Sequence, residues 1–385
     1  MKSTIASIQK PTQKGKNMKM RAAVLEKNQQ PLVVANDVEC GDPGPDEVRV
    51  KVSSCGICHS DLSMIDAPAG GSLPVVLGHE AAGIVEEVGS AVTRLRKGDR
   101  VMLTPMGSCG HCYFCVRSEP TLCVETRDFI SGTRPDGTTP LSRGGAPVYH
   151  GFRLGGWGEY SVVRSSNAVK VPDDTPLEVA CVIGCAIQTG VGAVLNTAKV
   201  ETGATVLVMG LGGIGISIVQ GARLAGASRI IVSDPVDERR DYASNFGATD
   251  ILDPNEDDVV ARALEITGGV GVDYAFDGAG AQALVQQCIQ ASRPGGTTVM
   301  VGAPMDMSPL EIPIPALFLS QEKKVIGCLL GSCNSHRDVP NFLALWRKGA
   351  LDLESMVTTR RPIEEVNAGL DDMRASRGLR TVLEF

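Results

Sequence analysis

The stretch from residue 205 to residue 330 constrains this chain more tightly than any other. Residues 205–210 read Thr-Val-Leu-Val-Met-Gly, a strand pattern, and run into the loop Gly210-Leu211-Gly212-Gly213-Ile214-Gly215. A helical pattern over 214–227 follows, and a second strand at 229–234 ends on Asp234. The alternation continues through a helix at 237–246, a strand at 250–252 and a helix at 257–266. A strand at 272–277, a helix at 281–291 and strands at 297–302 and 325–330 complete it. Strands separated by helical crossovers form parallel sheets with right-handed connections. Six strands therefore predict an α/β, doubly wound parallel sheet of the Rossmann type.

The loop matches G-x-G-x-x-G, which means little by itself in a chain with 44 glycines. Its position between a strand and a helix gives it weight. The first glycine permits the tight turn, the second lets backbone approach a pyrophosphate, and the third allows close helix–strand packing. The helix N-terminus then offers free N–H groups to the anion. Asp234 stands 19 residues after Gly215 and can accept hydrogen bonds from an adenosine ribose. Its charge opposes a 2′-phosphate, so NAD is expected rather than NADP, a preference softened by nearby Arg239 and Arg240. The plainer reading is a structural turn followed by a helix-capping aspartate.

Residues 20–170 have a different texture, with short strands expected at 21–27, 47–53, 82–88, 99–103 and 159–163. Residues 124–158, rich in Gly, Pro, Thr and Arg, are expected to form an ordered loop. Within this part, Cys109, Cys112, Cys115 and Cys123 fall in fifteen residues. Thiolates this close can converge on one tetrahedral ion, and zinc accepts four sulfurs without redox chemistry. A closed site of four cysteines has no position for a substrate, so this comb is expected to be structural.

A second group of ligand-type residues is dispersed. Cys55-Gly-Ile-Cys58-His59-Ser60-Asp61 is followed by Gly78-His79-Glu80 and, much later, by Cys185. Dispersed thiolate and imidazole ligands suit a catalytic zinc, which keeps one coordination position open. Each also has an ordinary reading: a Cys-x-x-Cys redox couple, a hydrogen-bonded core histidine, a surface carboxylate, a core thiol. Spacing does not choose between Cys55 and Cys58.

Composition narrows the alternatives. The net charge is −7 and there is no basic block, so nucleic acid is a poor partner. No apolar run in the sequence suggests a membrane span. Twelve cysteines in 385 residues, without a secretory leader, point to a reducing, cytoplasmic compartment rather than a disulfide scaffold. Residues 1–19 are expected to be a disordered tail.

The order of CGICHSD, GHE, the cysteine comb, GLGGIG and the terminal LRTVLEF resembles the zinc-containing medium-chain alcohol dehydrogenases, over nearly all of residues 20–385. The resemblance implies a chaperonin-10-like β-rich catalytic domain from 20–188 and 331–385, and an NAD-binding domain from 189–330. It implies two zinc ions per chain, one held by Cys58, His79 and Cys185 and the other by the comb, with Cys55 a bystander. Glu80 would lie behind the catalytic zinc and Asp61 would orient His79. His59 and Arg380 would face the cofactor pyrophosphate, and Arg239 the adenosine ribose. Thr189 and Val301 would flank the nicotinamide. Ser60 would begin a proton relay that the family often ends at a histidine, where this chain has Ser63.

The expected reaction is reversible oxidation of a primary or secondary alcohol with hydride transfer to NAD. A polyol dehydrogenase, or an enzyme acting on the glutathione adduct of formaldehyde, is the alternative. Arg127 matches the adduct-specific branch, but the loop at 67–73 lacks its acidic residues, so the adduct is not expected. A non-catalytic zinc- and nucleotide-binding protein is the reading from another class. The length of the 124–158 stretch resembles dimeric members, so a homodimer is expected.

Overall fold

The computed structural model describes residues 17–68, 71–303, 309–311 and 315–385. The middle of the chain forms one six-stranded sheet. Its spatial order is Asp250–Leu252, Arg229–Ser233, Thr205–Met209, Val272–Asp277, Ser292–Met300 and Lys324–Gly327, all parallel. This 3-2-1-4-5-6 order reverses direction at the strand Thr205–Met209, where doubly wound sheets open a crevice for a ligand. Val206, Leu207 and Val208 at its centre are fully buried, as expected for a strand covered on both faces.

Two further sheets make up the other lobe. The strands Met18–Leu25, Val33–Cys40, Leu141–Arg143, Ala146–His150 and Val75–Val76 close a small barrel. Beside it lies a sheet whose long strand Glu47–Gly56 pairs with Glu80–Val88, Tyr160–Arg164 and the C-terminal strand Thr381–Glu384. The chain therefore returns to this lobe at its end. Trp157, fully buried, donates its indole N–H to Gly56 O at 3.4 Å and ties the barrel to that long strand.

Several boundaries differ from the sequence reading, each for a physical reason. Residues 1–16 of the expected tail lie outside the described residues, but Met18 and Lys19 already pair with Cys40 and Glu39 as strand. The expected loop at 124–158 contains the hairpin Leu141–Arg143 and Ala146–His150. Its turn is Gly144-Gly145, with φ of 57° and 83°, the conformation a tight hairpin needs at both central residues. The strand expected at 325–330 stops at Gly327, because Leu330, Gly331 and Ser332 all take positive φ.

A helical rod runs over Leu177–Ala198 and joins the lobes. The boundary expected at residue 188 falls inside it. The rod has 22 residues and is apolar enough in composition to cross a membrane, contrary to the expectation that no apolar run suggests a span. It is a core element: 89% of its most apolar stretch is buried within the protein. Val182, Ile183 and Ile187 pack in one hydrophobic cluster with Val206, Ile218 and Val382, so this rod joins sheet, helix and C-terminal strand.

Candidate active site

The strand Glu47–Gly56 hands directly to the helix His59–Asp66, with Cys58 as its N-cap. Asp61, in the first turn, is fully buried and organises three groups. Its Oδ2 accepts from Cys58 N at 3.3 Å, and its Oδ1 accepts from Gly78 N at 2.9 Å. The same Oδ1 lies 3.1 Å from His79 Nδ1. A hydrogen bond there fixes the ring so that Nε2 faces Cys58, the arrangement expected of a metal-binding histidine and its carboxylate.

Cys185 arrives from the rod. Its turn, Ile183–Ile187, is π-helical, a local widening often found at functional sites. The close approach is possible because a Cβ on Gly184 would stand 2.6 Å from Leu103 O. Ligand atoms of Cys58, His79, Glu80 and Cys185 lie within 4.8 Å of one another. Cys185 hydrogen-bonds Cys58, which lowers the Cys58 pKa well below that of a free thiol and raises that of Cys185. Burial disfavours a charged His79, but Asp61 and Cys58 outweigh it and hold its pKa well above the usual value. Two thiols and an imidazole sharing protons in a buried pocket form a donor set that suits zinc. Cys55 is fully buried and its thiol bonds to Gly56 O at 3.6 Å, outside that set.

Glu80 is fully buried, and neither carboxylate oxygen has a hydrogen-bond partner among the described residues. Burial pushes its pKa up to about 8 despite the opposing charge of Arg380. Arg380 Nη2 lies 3.3 Å from Glu80 Oε1, and Nη1 donates to Ile57 O at 3.2 Å. The guanidinium also abuts the glycine loop, since a Cβ on Gly213 would lie 2.6 Å from Nη2.

In the loop, Gly210 takes φ of 87° and a Cβ on Gly215 would stand 1.8 Å from Gly210 O. A Cβ on Gly212 would meet nothing within 4 Å. The loop is thus closed against protein at Gly215 and open at Gly212, as a cradle for a pyrophosphate must be. Asp234, 3% exposed, accepts from Leu211 N at 2.7 Å and from Val236 N at 2.9 Å. Arg239 Nη1 is 3.9 Å from Asp234, and its buried Nε has no partner among the described residues. Arg240 is occupied by Asp234 O, Asp237 and Asp253, so it is not free to bind a phosphate. His59, Gly210, Gly212, Gly213, Asp234, Arg239 and Arg380 all line one cavity of about 200 Å³.

A second cavity of about 920 Å³ adjoins the first and reaches His79 and Cys185. Ser60, Ser63 and Ile214 line both, so the glycine-loop crevice and the larger space meet there. Ser60 Oγ lies 3.9 Å from Cys58 Sγ. Ser63 Oγ donates to His59 O at 2.9 Å, so its proton is committed to the helix backbone. Thr189 and Val301, 6% and 7% exposed, line the larger cavity. Most of its other walls are apolar, and they come from segments that carry no local sequence motif. Phe152 packs on His79 with ring centroids 4.3 Å apart, and Phe129 lies 6.0 Å from Phe152. Phe152 and Arg153 both take positive φ, a strained conformation that persists where surroundings enforce it.

The comb forms its own cluster, and none of its four cysteines lines either cavity. Sulfur–sulfur distances are 3.9 Å for Cys109–Cys115, 3.5 Å for Cys112–Cys115 and 3.9 Å for Cys112–Cys123. Zinc–sulfur bonds of about 2.3 Å at tetrahedral angles would set these edges at about 3.8 Å. A disulfide would need about 2.05 Å. Backbone N–H groups of Cys115 and Val124 lower the Cys112 thiol to about 6, so a thiolate is already favoured there.

Comparison with known proteins agrees with this geometry. Residues 44–173 match the alcohol dehydrogenase GroES-like domain, and residues 213–348 match the zinc-binding dehydrogenase domain. The S-(hydroxymethyl)glutathione dehydrogenase of Saccharomyces cerevisiae is 35% identical over 379 residues, covering 96% of this chain and 97% of its own. The Escherichia coli protein of that name is 36% identical over 373 residues, covering 96% and 100%. Benzyl alcohol dehydrogenase from Acinetobacter calcoaceticus superposes with a TM-score of 0.90 at 31% identity, covering 96% and 99%. A zinc-binding alcohol dehydrogenase domain protein from Burkholderia ambifaria reaches 0.91 at 35%, covering 96% and 100%. With a zinc-type donor set opening onto a glycine-loop crevice and relatives matching end to end, the chain belongs to the zinc-containing medium-chain alcohol dehydrogenase family.

Proposed function

We propose that this protein catalyses the reversible oxidation of a neutral, largely apolar alcohol to its aldehyde or ketone, with NAD as hydride acceptor. One observation carries the reading: Cys58, His79 and Cys185 converge where an apolar cavity of about 920 Å³ joins the glycine-loop crevice. When bound, a zinc ion at these ligands supplies Lewis acidity toward the alcohol oxygen, and NAD accepts the hydride. The chain's own residues do the rest. Ser60 Oγ, on the wall shared by both cavities, takes the hydroxyl proton. Asp61 holds the His79 ring. Thr189 and Val301 confine the reacting end of the cofactor. Ser63 is not available as the final base, so the proton passes from Ser60 to water or to another group. The buried Asp234 favours NAD over its 2′-phosphorylated form. The sulfur distances of the comb support a second, structural zinc.

The curated relatives named for S-(hydroxymethyl)glutathione supply the alternative substrate. That substrate carries two carboxylates. Besides His79, no basic side chain lines the larger cavity among the described residues. Arg127 is exposed and its guanidinium stacks 5.4 Å over Phe114, in the comb lobe. This favours an apolar alcohol. Steady-state rates with benzyl alcohol, ethanol and S-(hydroxymethyl)glutathione, each with NAD and NADP, test the reading. The highest kcat/KM is expected for benzyl alcohol with NAD, and preference for the glutathione adduct would reject it.

A further inference from the structure

We propose that Glu119 sets the charge of the substrate: it makes the cavity discriminate against alcohols and aldehydes whose far end bears a carboxylate. The proposal rests on the alcohol dehydrogenase reading above. Glu119 is the one acidic side chain among the described residues that line the larger cavity. It stands in the comb lobe, where its N–H donates to Phe114 O at 2.9 Å and it caps the short helix Pro120–Leu122. Its position is therefore held by the backbone of the metal-binding lobe. Its ion-pair partner is Arg117, whose Nε lies 3.8 Å away, with the two side chains 56% and 42% exposed. A half-exposed pair at that distance is only weakly coupled. Most of the charge on Glu119 is thus available to the cavity mouth.

The surrounding wall amplifies that charge. Leu122, Phe129 and Ile130 line the same cavity and offer no hydrogen bond to a carboxylate, and the hydroxyls of Ser118 and Thr121, which also line it, carry no charge to offset Glu119. A negatively charged substrate tail would lose its hydration beside these side chains and meet Glu119 without a compensating cation. Coulomb repulsion across such a partly desolvated space weakens binding by about tenfold. A neutral tail meets neither cost.

The test compares benzyl alcohol with 4-(hydroxymethyl)benzoate in the zinc-loaded protein with NAD. The ratio of their kcat/KM values is expected to fall about tenfold in Glu119→Gln and further in Glu119→Lys, through the KM of the carboxylate substrate. Raising the salt concentration is expected to lower the wild-type ratio towards those of the variants. A ratio unchanged in both variants would overturn the proposal. If the wild type oxidises neither alcohol, the activity reading fails by itself. The charge effect is then read by calorimetric binding of benzamide against 4-carbamoylbenzoate. Glu119→Lys must narrow that affinity gap about tenfold, and an unaltered gap overturns the proposal.

Discussion

Arg380 Nη2 lies 3.3 Å from Glu80 Oε1, and the same guanidinium lies against Gly213 of the glycine loop. One buried cation thus faces the carboxylate behind the Cys58–His79–Cys185 cluster on one side and the cofactor cradle on the other. Breaking a buried pair by removing one partner leaves an uncompensated charge and costs about 3–5 kcal/mol, whereas removing both costs far less. Because burial already raises the Glu80 pKa to about 8, Arg380→Met should lower stability by that order only above that pH, where the carboxylate must stay charged, and by less at neutral pH, where Glu80 takes up a proton. The double variant Arg380→Met/Glu80→Gln should recover most of it. Affinity for NADH should stay weak in both, since neither restores a cation at Gly213. Denaturant unfolding and fluorescence titration of NADH separate the two effects.

The proposed catalytic ligands and the glycine loop belong to different elements, and so should their losses. Cys58→Ser and Cys185→Ala are expected to abolish turnover, falling at least about a thousandfold as expected when a Lewis acid is lost. NAD binding should remain within a few-fold, because Gly210, Gly212, Gly213, Asp234 and Arg239 stay in place, Cys185 does not line the glycine-loop cavity, and Cys58→Ser keeps a side chain of similar size on its wall. Single-turnover kinetics alongside calorimetry would show this. Full turnover in both variants would remove the zinc assignment.

The comb should behave differently. Cys112→Ser takes one corner from a cluster whose sulfurs stand 3.5 Å and 3.9 Å from Cys112. A metal bound there would carry folding free energy, so soluble yield and Tm should fall together with zinc content. Metal analysis should find about two zinc per wild-type chain and one in the variant. A variant with unaltered Tm and metal content would show that the comb is not a metal site.

His150 supplies a pH signature away from both clusters. Burial, helped by the charges of Arg134 and Arg153, lowers its pKa to about 3, from 6.5 for a free imidazole. Between those values the unfolded chain binds a proton that the folded protein does not. Stability from this residue is present above about pH 6.5 and is lost as pH falls towards about 3. His150→Gln should flatten the difference in unfolding free energy between pH 4 and pH 7. Parallel pH profiles for wild type and variant would contradict this.

What could be read in the sequence was whatever repeats or clusters locally. The strand–helix alternation yields the six-stranded sheet because its period lies within the chain segment itself. The comb is equally local. The hairpin turn Gly144-Gly145 also has a local signature, but it was lost in a stretch full of glycine and proline. Residues that act through long-range contact were out of reach. Phe152 meets His79 only because the barrel folds it there, and Glu119 faces the cavity only because the comb lobe turns it inward. Resemblance, rather than spacing, separated Cys58 from Cys55. The structure supplies the physical reason: Cys58 is the N-cap beside Asp61, whereas Cys55 still lies in the strand.

Asp234 carries two roles that a single substitution would mix. Its charge is proposed to oppose a 2′-phosphate, while its Oδ2 braces the glycine loop by accepting from Leu211 N at 2.7 Å. Asp234→Gly removes both. It should raise kcat/KM for NADP relative to NAD by about tenfold or more, consistent with loss of one close like charge. It should also weaken both cofactors, because a buried N–H left without its acceptor costs about 1–3 kcal/mol. Asp234→Asn separates the roles: it keeps an oxygen that can accept from Leu211 and removes the charge. Its NADP-to-NAD ratio should rise as in the glycine variant, with less loss of overall affinity. Equal ratios in wild type and Asp234→Asn would exclude Asp234 from cofactor selection. A ratio raised only in the glycine variant would place selection in the shape of the loop rather than in the charge of Asp234.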